Sequence, residues 1–250
     1  MKKTATIIAL LCILVFAGCN GTKVKILFIG NSFTSVNNLP FQLTKLAKSG
    51  GIQVEAVMCA TGGYRLSQHI TSQDTLEKIK SRKWDYIVIQ EQSQVPAIES
   101  EKNNGMYPAV REFYRIITDS GAVPILYMTW GRKNGCPEIG YSDYESMQEH
   151  LTDGYMGIAN ELGIEVAPVG EAWKTAHARR TELELWGPDA IHPSLAGTYL
   201  AACVFYTVIF KKSPESLMYN AGLGWGDAAF LQSVAADTVL KDMKKWLIIR

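Results

Sequence analysis

The sequence predicts an α/β domain of three layers, helix over sheet over helix, built on about five parallel strands. Three observations carry this. Short apolar runs alternate with stretches of helical pattern. The runs are β-branched-rich and apolar on both faces, as parallel strands buried between helices must be. The chain, 250 residues with 47% hydrophobic and 20% charged residues, is long enough to bury such a core without disulfides or metal.

The strands are expected in the order "VKILFI" (24–29), "VEAVM" (54–58), "YIVIQ" (86–90), "VPILYM" (123–128) and "IEVAPV" (164–169). Helical patterns at 39–50, 74–82, 105–120 and 143–162 lie between them and give βαβ units. For 143–162 the sequence offers Ser142 as N-cap and Gly163 as the residue past the C-terminus. The run 194–211, "SLAGTYLAACVFYTVIFK", is nearly all apolar. Its Gly, Thr, Ser and Tyr and its place in a globular pattern predict a buried core helix capped by Ser194, rather than a membrane span. An amphipathic helix over 227–247 closes the chain. No repeat, low-complexity tract or linker interrupts the pattern, which predicts one domain over 19–250.

The first residues, "MKKTATIIALLCILVFAGC", place two lysines before an apolar stretch of signal-peptide length, so 1–18 is expected to be a signal peptide. "FAGC" resembles a bacterial lipobox with Cys19 as the lipidated residue, although Phe16 stands where an aliphatic residue is usual. "VFA" (15–17) also fits an ordinary cleavage site, which would give a soluble secreted protein. Removing 1–18 takes away two lysines and no acid, leaving 23 basic against 24 acidic residues. No basic stripe points to nucleic acid. Cys59, Cys136 and Cys203 then remain, an odd number without the spacing of a zinc site. Cys59 and Cys203 read as core side chains, and a disulfide through Cys136 is left open. His69, His150 and His177 show no metal-ligand spacing.

In an open parallel sheet, ligands bind beyond the carboxyl ends of the strands. "GNS" (30–32) puts Ser32 just past the first strand, where it fits a helix cap or turn as well as a nucleophile. "GPDAIHPSLAG" (187–197) sets Asp189 three residues before His192 in a Pro- and Gly-punctuated loop. That spacing lets the carboxylate reach its neighbour's imidazole, fix its tautomer and leave the other nitrogen as a base; a capping Asp beside an exposed His fits equally. After the second strand, Gly62 and Gly63 allow a backbone N–H to approach a ligand. After the third come Gln90, Glu91, Gln92 and Ser93, polar groups that need partners so near a buried strand. Trp130 and Trp186 stand near the same end as candidate pocket walls or packing aromatics. Arg65 is a candidate for an acidic substrate or a protein carboxylate.

These blocks together resemble the SGNH/GDSL hydrolase superfamily. Its first block, Gly-Asp-Ser, reads Gly30-Asn31-Ser32 here. Its last, Asp-x-x-His-Pro, is matched fully by Asp189 to Pro193. "GNSFT", "GGYRLSQH" and "DxxHPS" look like an exported bacterial branch, and the likeness covers about Lys25 to Lys211. The resemblance implies a flavodoxin-like fold, Ser32 as nucleophile, His192 as base and Asp189 as its partner. It implies an oxyanion hole from the N–H of Ser32, the N–H of Gly63 and a side-chain amide. The family takes that amide from Asn in Gly-x-Asn-Asp; this chain has Gln90-Glu91-Gln92-Ser93 there, so Gln92 is the candidate.

The expected function is an exported serine esterase, acting without a cofactor and removing acetyl groups from a glycan through an acyl-serine intermediate. It would be held in the cell envelope by a lipid on Cys19, facing the periplasm, with secreted or cell-surface placement as alternatives. An acyltransferase or lipase using the same triad, and a catalytically silent glycan-binding lipoprotein, are the rival readings.

Overall fold

The computed structural model describes residues 23–248; the expected signal peptide and Cys19 lie outside them. The elements run β1 (Val24–Gly30), α1 (Ser32–Ser35), α2 (Leu39–Ser49), β2 (Val54–Ala60), α3 (Leu66–His69), α4 (Gln73–Lys80), β3 (Tyr86–Ile89), α5 (Glu99–Glu101), α6 (Tyr107–Asp119), β4 (Val123–Tyr127), α7 (Tyr144–Leu162), β5 (Glu165–Ala167), α8 (Val169–Arg179), α9 (Leu195–Phe210) and α10 (Trp225–Leu240). The strands form one sheet in the order β2-β1-β3-β4-β5. All neighbours are parallel, with Leu27 level with Val57 on one side and Ile87 on the other. This is the flavodoxin-like order.

The order dictates the layers. From β1 the chain steps outward to β2, then reverses across β1 to β3 and continues to β5. With right-handed crossovers, that reversal moves the connecting helices to the opposite face. Thus α2 packs with α9, and α9 with α10, while α3, α6 and α7 form the other layer. The reversal opens a crevice between the carboxyl ends of β1 and β3.

The core explains why α9 is apolar on every side. It is buried from Ala196 to Ile209, between the sheet and α2 and α10. Phe205 meets Phe28 of β1 edge-on at 5.1 Å and Tyr127 of β4 at 4.9 Å. Ser194 caps it, accepting from the N–H of Gly197. No helix among the described residues is long and apolar enough to cross a membrane.

Some boundaries differ from expectation. The N-cap of α7 is Asp143, accepting from the N–H of Ser146 at 2.8 Å; Ser142 instead donates to that Asp143 carboxylate. Gly163 ends α7 in the left-handed conformation, φ 68°. The last helix stops at Leu240 and continues as turns. Cys59, Cys136 and Cys203 are separate thiols.

Candidate active site

The turn after β1 is built around Gly30 and Asn31. A Cβ at Gly30 would lie 2.4 Å from Gln90 Oε1 and 2.8 Å from Thr34 Oγ1, so no side chain fits. Asn31, and not Ser32, caps α1, its Oδ1 accepting from the N–H of Phe33 at 3.1 Å. Its Nδ2 donates to the carbonyl of Tyr64 at 2.9 Å, fastening the β2 loop to the β1 loop. Asn31 thus acts as both donor and acceptor, which the Asp usual at this position cannot do when ionised. Ser32 opens α1 with its hydroxyl free for other work.

His192 supplies the partner. Its Nε2 lies 2.8 Å from Ser32 Oγ and its Nδ1 2.5 Å from Asp189 Oδ2. An ionised carboxylate only accepts, so Nδ1 carries the proton and Nε2 is left to accept from Ser32. Hydrogen bonding to the His192 ring holds the Asp189 carboxyl down at about 2, aided by the N–H groups of His192 and Ile191. Those two N–H groups reach Asp189 Oδ1 at 2.9 and 3.0 Å. Asp189 therefore braces its own turn and meets the His192 ring, but it caps no helix: α9 is capped by Ser194.

The loop carrying this pair is fixed at several points. The N–H of Gly187 donates to the carbonyl of His192 at 2.7 Å, and that of Ser194 to Leu185 at 2.8 Å. Trp130 Nε1 donates to the carbonyl of Ile191 at 3.1 Å, and Asn37 Nδ2 to that of Pro193 at 3.0 Å. Ala190 takes φ 59°, a left-handed conformation that a residue with a Cβ adopts at some cost.

The remaining donors converge on the same place. Gly63 sits at φ 72°, where glycine alone is relaxed. Gln92 Oε1 accepts from the N–H of Gln94 at 2.8 Å; this fixes the amide orientation and leaves Nε2 as the open donor. Behind both, Glu91 Oε1 accepts from the N–H of Leu66 at 3.1 Å and of Gln92 at 2.7 Å, joining the two donor loops. Burial pushes the Glu91 carboxyl up to about 7, and its Oε2 is enclosed without a hydrogen-bond partner. Ser32, Gly63, Gln92, Arg132, Ile191 and His192 share a cavity of about 260 Å³. That is small beside the roughly 300–1,000 Å³ usual for ligand sites.

Three candidate pocket residues lie elsewhere. Trp130 is fully buried, stacked on Phe33 at 4.5 Å and on Trp173 at 4.0 Å, and backs the Ser32 turn instead of lining the cavity. Trp186 is buried against Trp173 and Tyr144, its Nε1 donating to the carbonyl of Gly131. Arg65 points away to an ion pair with Glu101 and lines a separate depression. His69 is buried, with Nε2 2.7 Å from the carbonyl of Gly30 and Nδ1 2.9 Å from Thr75 Oγ1. Among the described residues no group of three or more His, Cys, Asp or Glu side chains is placed to hold a metal ion.

Fold and site together define a class: three-layer α/β/α proteins that bring Ser, His and Asp to the carboxyl ends of a parallel sheet. Known structures share the fold. A protein of Slackia heliotrinireducens assigned to the SGNH hydrolases is 29% identical over 74% of this chain and 97% of its own, with a TM-score of 0.62. A DUF4886 family protein from Bacteroides uniformis is 22% identical over 87% and 95%, with a TM-score of 0.75. An acetyl xylan esterase from Geobacillus stearothermophilus shares the fold at 16% identity over 74% and 94%, with a TM-score of 0.54. No family model and no curated protein matches the chain. These likenesses support the SGNH/GDSL hydrolase superfamily, and at that level the neighbours support an esterase.

Proposed function

We propose that this protein is a serine esterase that removes short acyl groups, acetyl foremost, from a glycan. The observation that carries the reading is the line Ser32 Oγ, His192 Nε2, His192 Nδ1 and Asp189 Oδ2, closed at 2.8 and 2.5 Å. The small cavity and the likeness to acetyl xylan esterases favour a short acyl group.

In the first half-reaction, Ser32 Oγ attacks the ester carbonyl carbon while its proton passes to His192 Nε2. The negative oxygen is met by the N–H of Ser32, the N–H of Gly63 and Gln92 Nε2. The bond to the leaving alcohol then breaks, and His192 returns the proton to that oxygen. In the second, water gives a proton to His192 and attacks the acyl carbon. The bond to Oγ breaks, Ser32 regains its proton, and the carboxylic acid leaves. Asp189 stays ionised and steadies the imidazolium formed in each half.

The test is a series of p-nitrophenyl esters from acetate to octanoate, followed by acetylated glycans, on wild type and Ser32→Ala. Acetate should be preferred and Ser32→Ala should be inert. An optimum at octanoate would point to a lipase instead, and absence of labelling by a serine-reactive phosphonate to a binding protein. The reading extends to placement: a lipid on Cys19 would hold the enzyme in the envelope, facing the periplasm. Cys19→Ala should then move it from the membrane to the soluble fraction.

A further inference from the structure

We infer that the site is built for an ester carried on an acidic acceptor, a glycan bearing carboxylates, and that Arg132 binds the carboxylate. This rests on the esterase reading above. Arg132 lines the cavity that holds Ser32 and His192, and among the described residues no Asp or Glu does so. Apart from His192, it is the lining residue with an ionisable side chain.

Its backbone is held firmly. The N–H of Gly131 donates to Gln148 Oε1 at 2.9 Å, and the carbonyl of Gly131 accepts from Trp186 Nε1 at 3.0 Å. On the other side the N–H of Lys133 donates to the carbonyl of Ala190, inside the loop that carries His192. The backbone that carries Arg132 is thus tied to the loop of His192 on one side and to Trp186 on the other.

The guanidinium is also incompletely used. Nη1 donates to Glu138 Oε1 at 2.8 Å, whereas Nε is enclosed with no acceptor. Nε is closed off from the cavity, so a carboxylate would meet the guanidinium at its outer nitrogens, with a charge-assisted bond that Glu138 contests. Glu138 is largely exposed, at 60% for its side chain against 20% for Arg132, so it competes for the guanidinium from the solvent side.

The test uses 3- and 4-carboxyphenyl acetate against their methyl esters, which lack the negative charge, each rate being divided by that of uncatalysed hydrolysis to remove the difference in leaving group. Wild type should favour the carboxylates by about tenfold in kcat/KM, chiefly through KM, and the preference should shrink with salt. Arg132→Leu should abolish the preference and Arg132→Lys should restore part of it. Glu138→Gln, which removes the competitor, should enlarge it; a merely structural Arg132 would not respond in that direction. Equal rates on charged and neutral esters, or a preference untouched by Arg132→Leu, would overturn the inference while leaving the esterase intact. No turnover of any of the four, with acetylated glycans also inert, would instead remove the esterase reading itself.

Discussion

Asn31 and Gln90 face each other as paired amides: Gln90 Nε2 donates to Asn31 Oδ1 at 2.9 Å, and the N–H of Asn31 donates to Gln90 Oε1 at 3.0 Å. Gln90 Oε1 also accepts from Thr34 Oγ1. This pair joins the ends of β1 and β3, and Asn31 Nδ2 extends it to the loop after β2.

Asn31→Asp should therefore harm this protein, although Asp is usual at the position in the superfamily. It replaces the donor to the Tyr64 carbonyl with a second acceptor. Leaving such buried groups mismatched costs on the order of 1–3 kcal/mol. We expect a lower Tm and a roughly tenfold or greater loss of kcat on p-nitrophenyl acetate, since the Gly63 loop loses its tie. Wild-type activity would mean that the loop is held by other contacts.

Gly30→Ala tests the same turn sterically. The new Cβ meets Gln90 Oε1 and Thr34 Oγ1 well inside contact distance, and overpacking of this kind costs roughly 1–3 kcal/mol. Thermal denaturation should show that loss, and kcat should fall with it because Ser32 is displaced.

Asp189→Asn should lower kcat/KM on the order of 10²–10³-fold, because an amide favours the tautomer that leaves Nε2 without a lone pair for Ser32. The Asp189 carboxyl, held at about 2, stays ionised throughout assays from pH 4 to 9. Its pKa is depressed on folding, so its contribution to stability is present above its ordinary value and is lost as pH falls toward 2. Acid melts from pH 5 down to 2 should show wild type losing stability faster than the Asn variant.

Glu91 carries the opposite sign. Burial raises its carboxyl to about 7, so between its ordinary value of about 4.5 and 7 the folded state holds the proton more tightly than the unfolded chain. Wild type should lose on the order of 1–3 kcal/mol as pH rises through that interval and then level off. The groups around it are the N–H donors of Leu66 and Gln92, with Arg65, Glu101 and Tyr155 near. Glu91→Gln keeps an acceptor for both N–H groups and should flatten this part of the profile. Parallel Tm curves for the two proteins from pH 5 to 8 would show that Glu91 does not titrate there.

The strands and long helices were legible because burial on both faces leaves no other pattern for a strand. Ser32, Asp189 and His192 were legible as residue types at strand ends, though 160 positions of chain had to fold before the contact existed. The support around them was not. Asn31 reads as a departure from a motif, and only the Tyr64 carbonyl across the turn explains its second role. Trp130 and Trp186 stand where pocket walls are expected, but the aromatic column from Phe33 to Trp173 draws them inward. Arg132 follows "TWG" with no local signal, since its importance comes from the cavity beside it. The α7 cap moved by one residue because adjacent Ser142 and Asp143 are both good caps.

The distance along the chain between Ser32 and His192 also shapes how activity is acquired. On the esterase reading, the turn that presents Ser32 is tied to the ends of β2 and β3, whereas the base arrives with the loop before α9. A partly folded molecule, or one truncated before that loop, has a hydroxyl with nothing to take its proton. If the protein is an esterase, recovery of turnover after dilution from denaturant thus reports that α9 and the loop before it have packed onto the sheet.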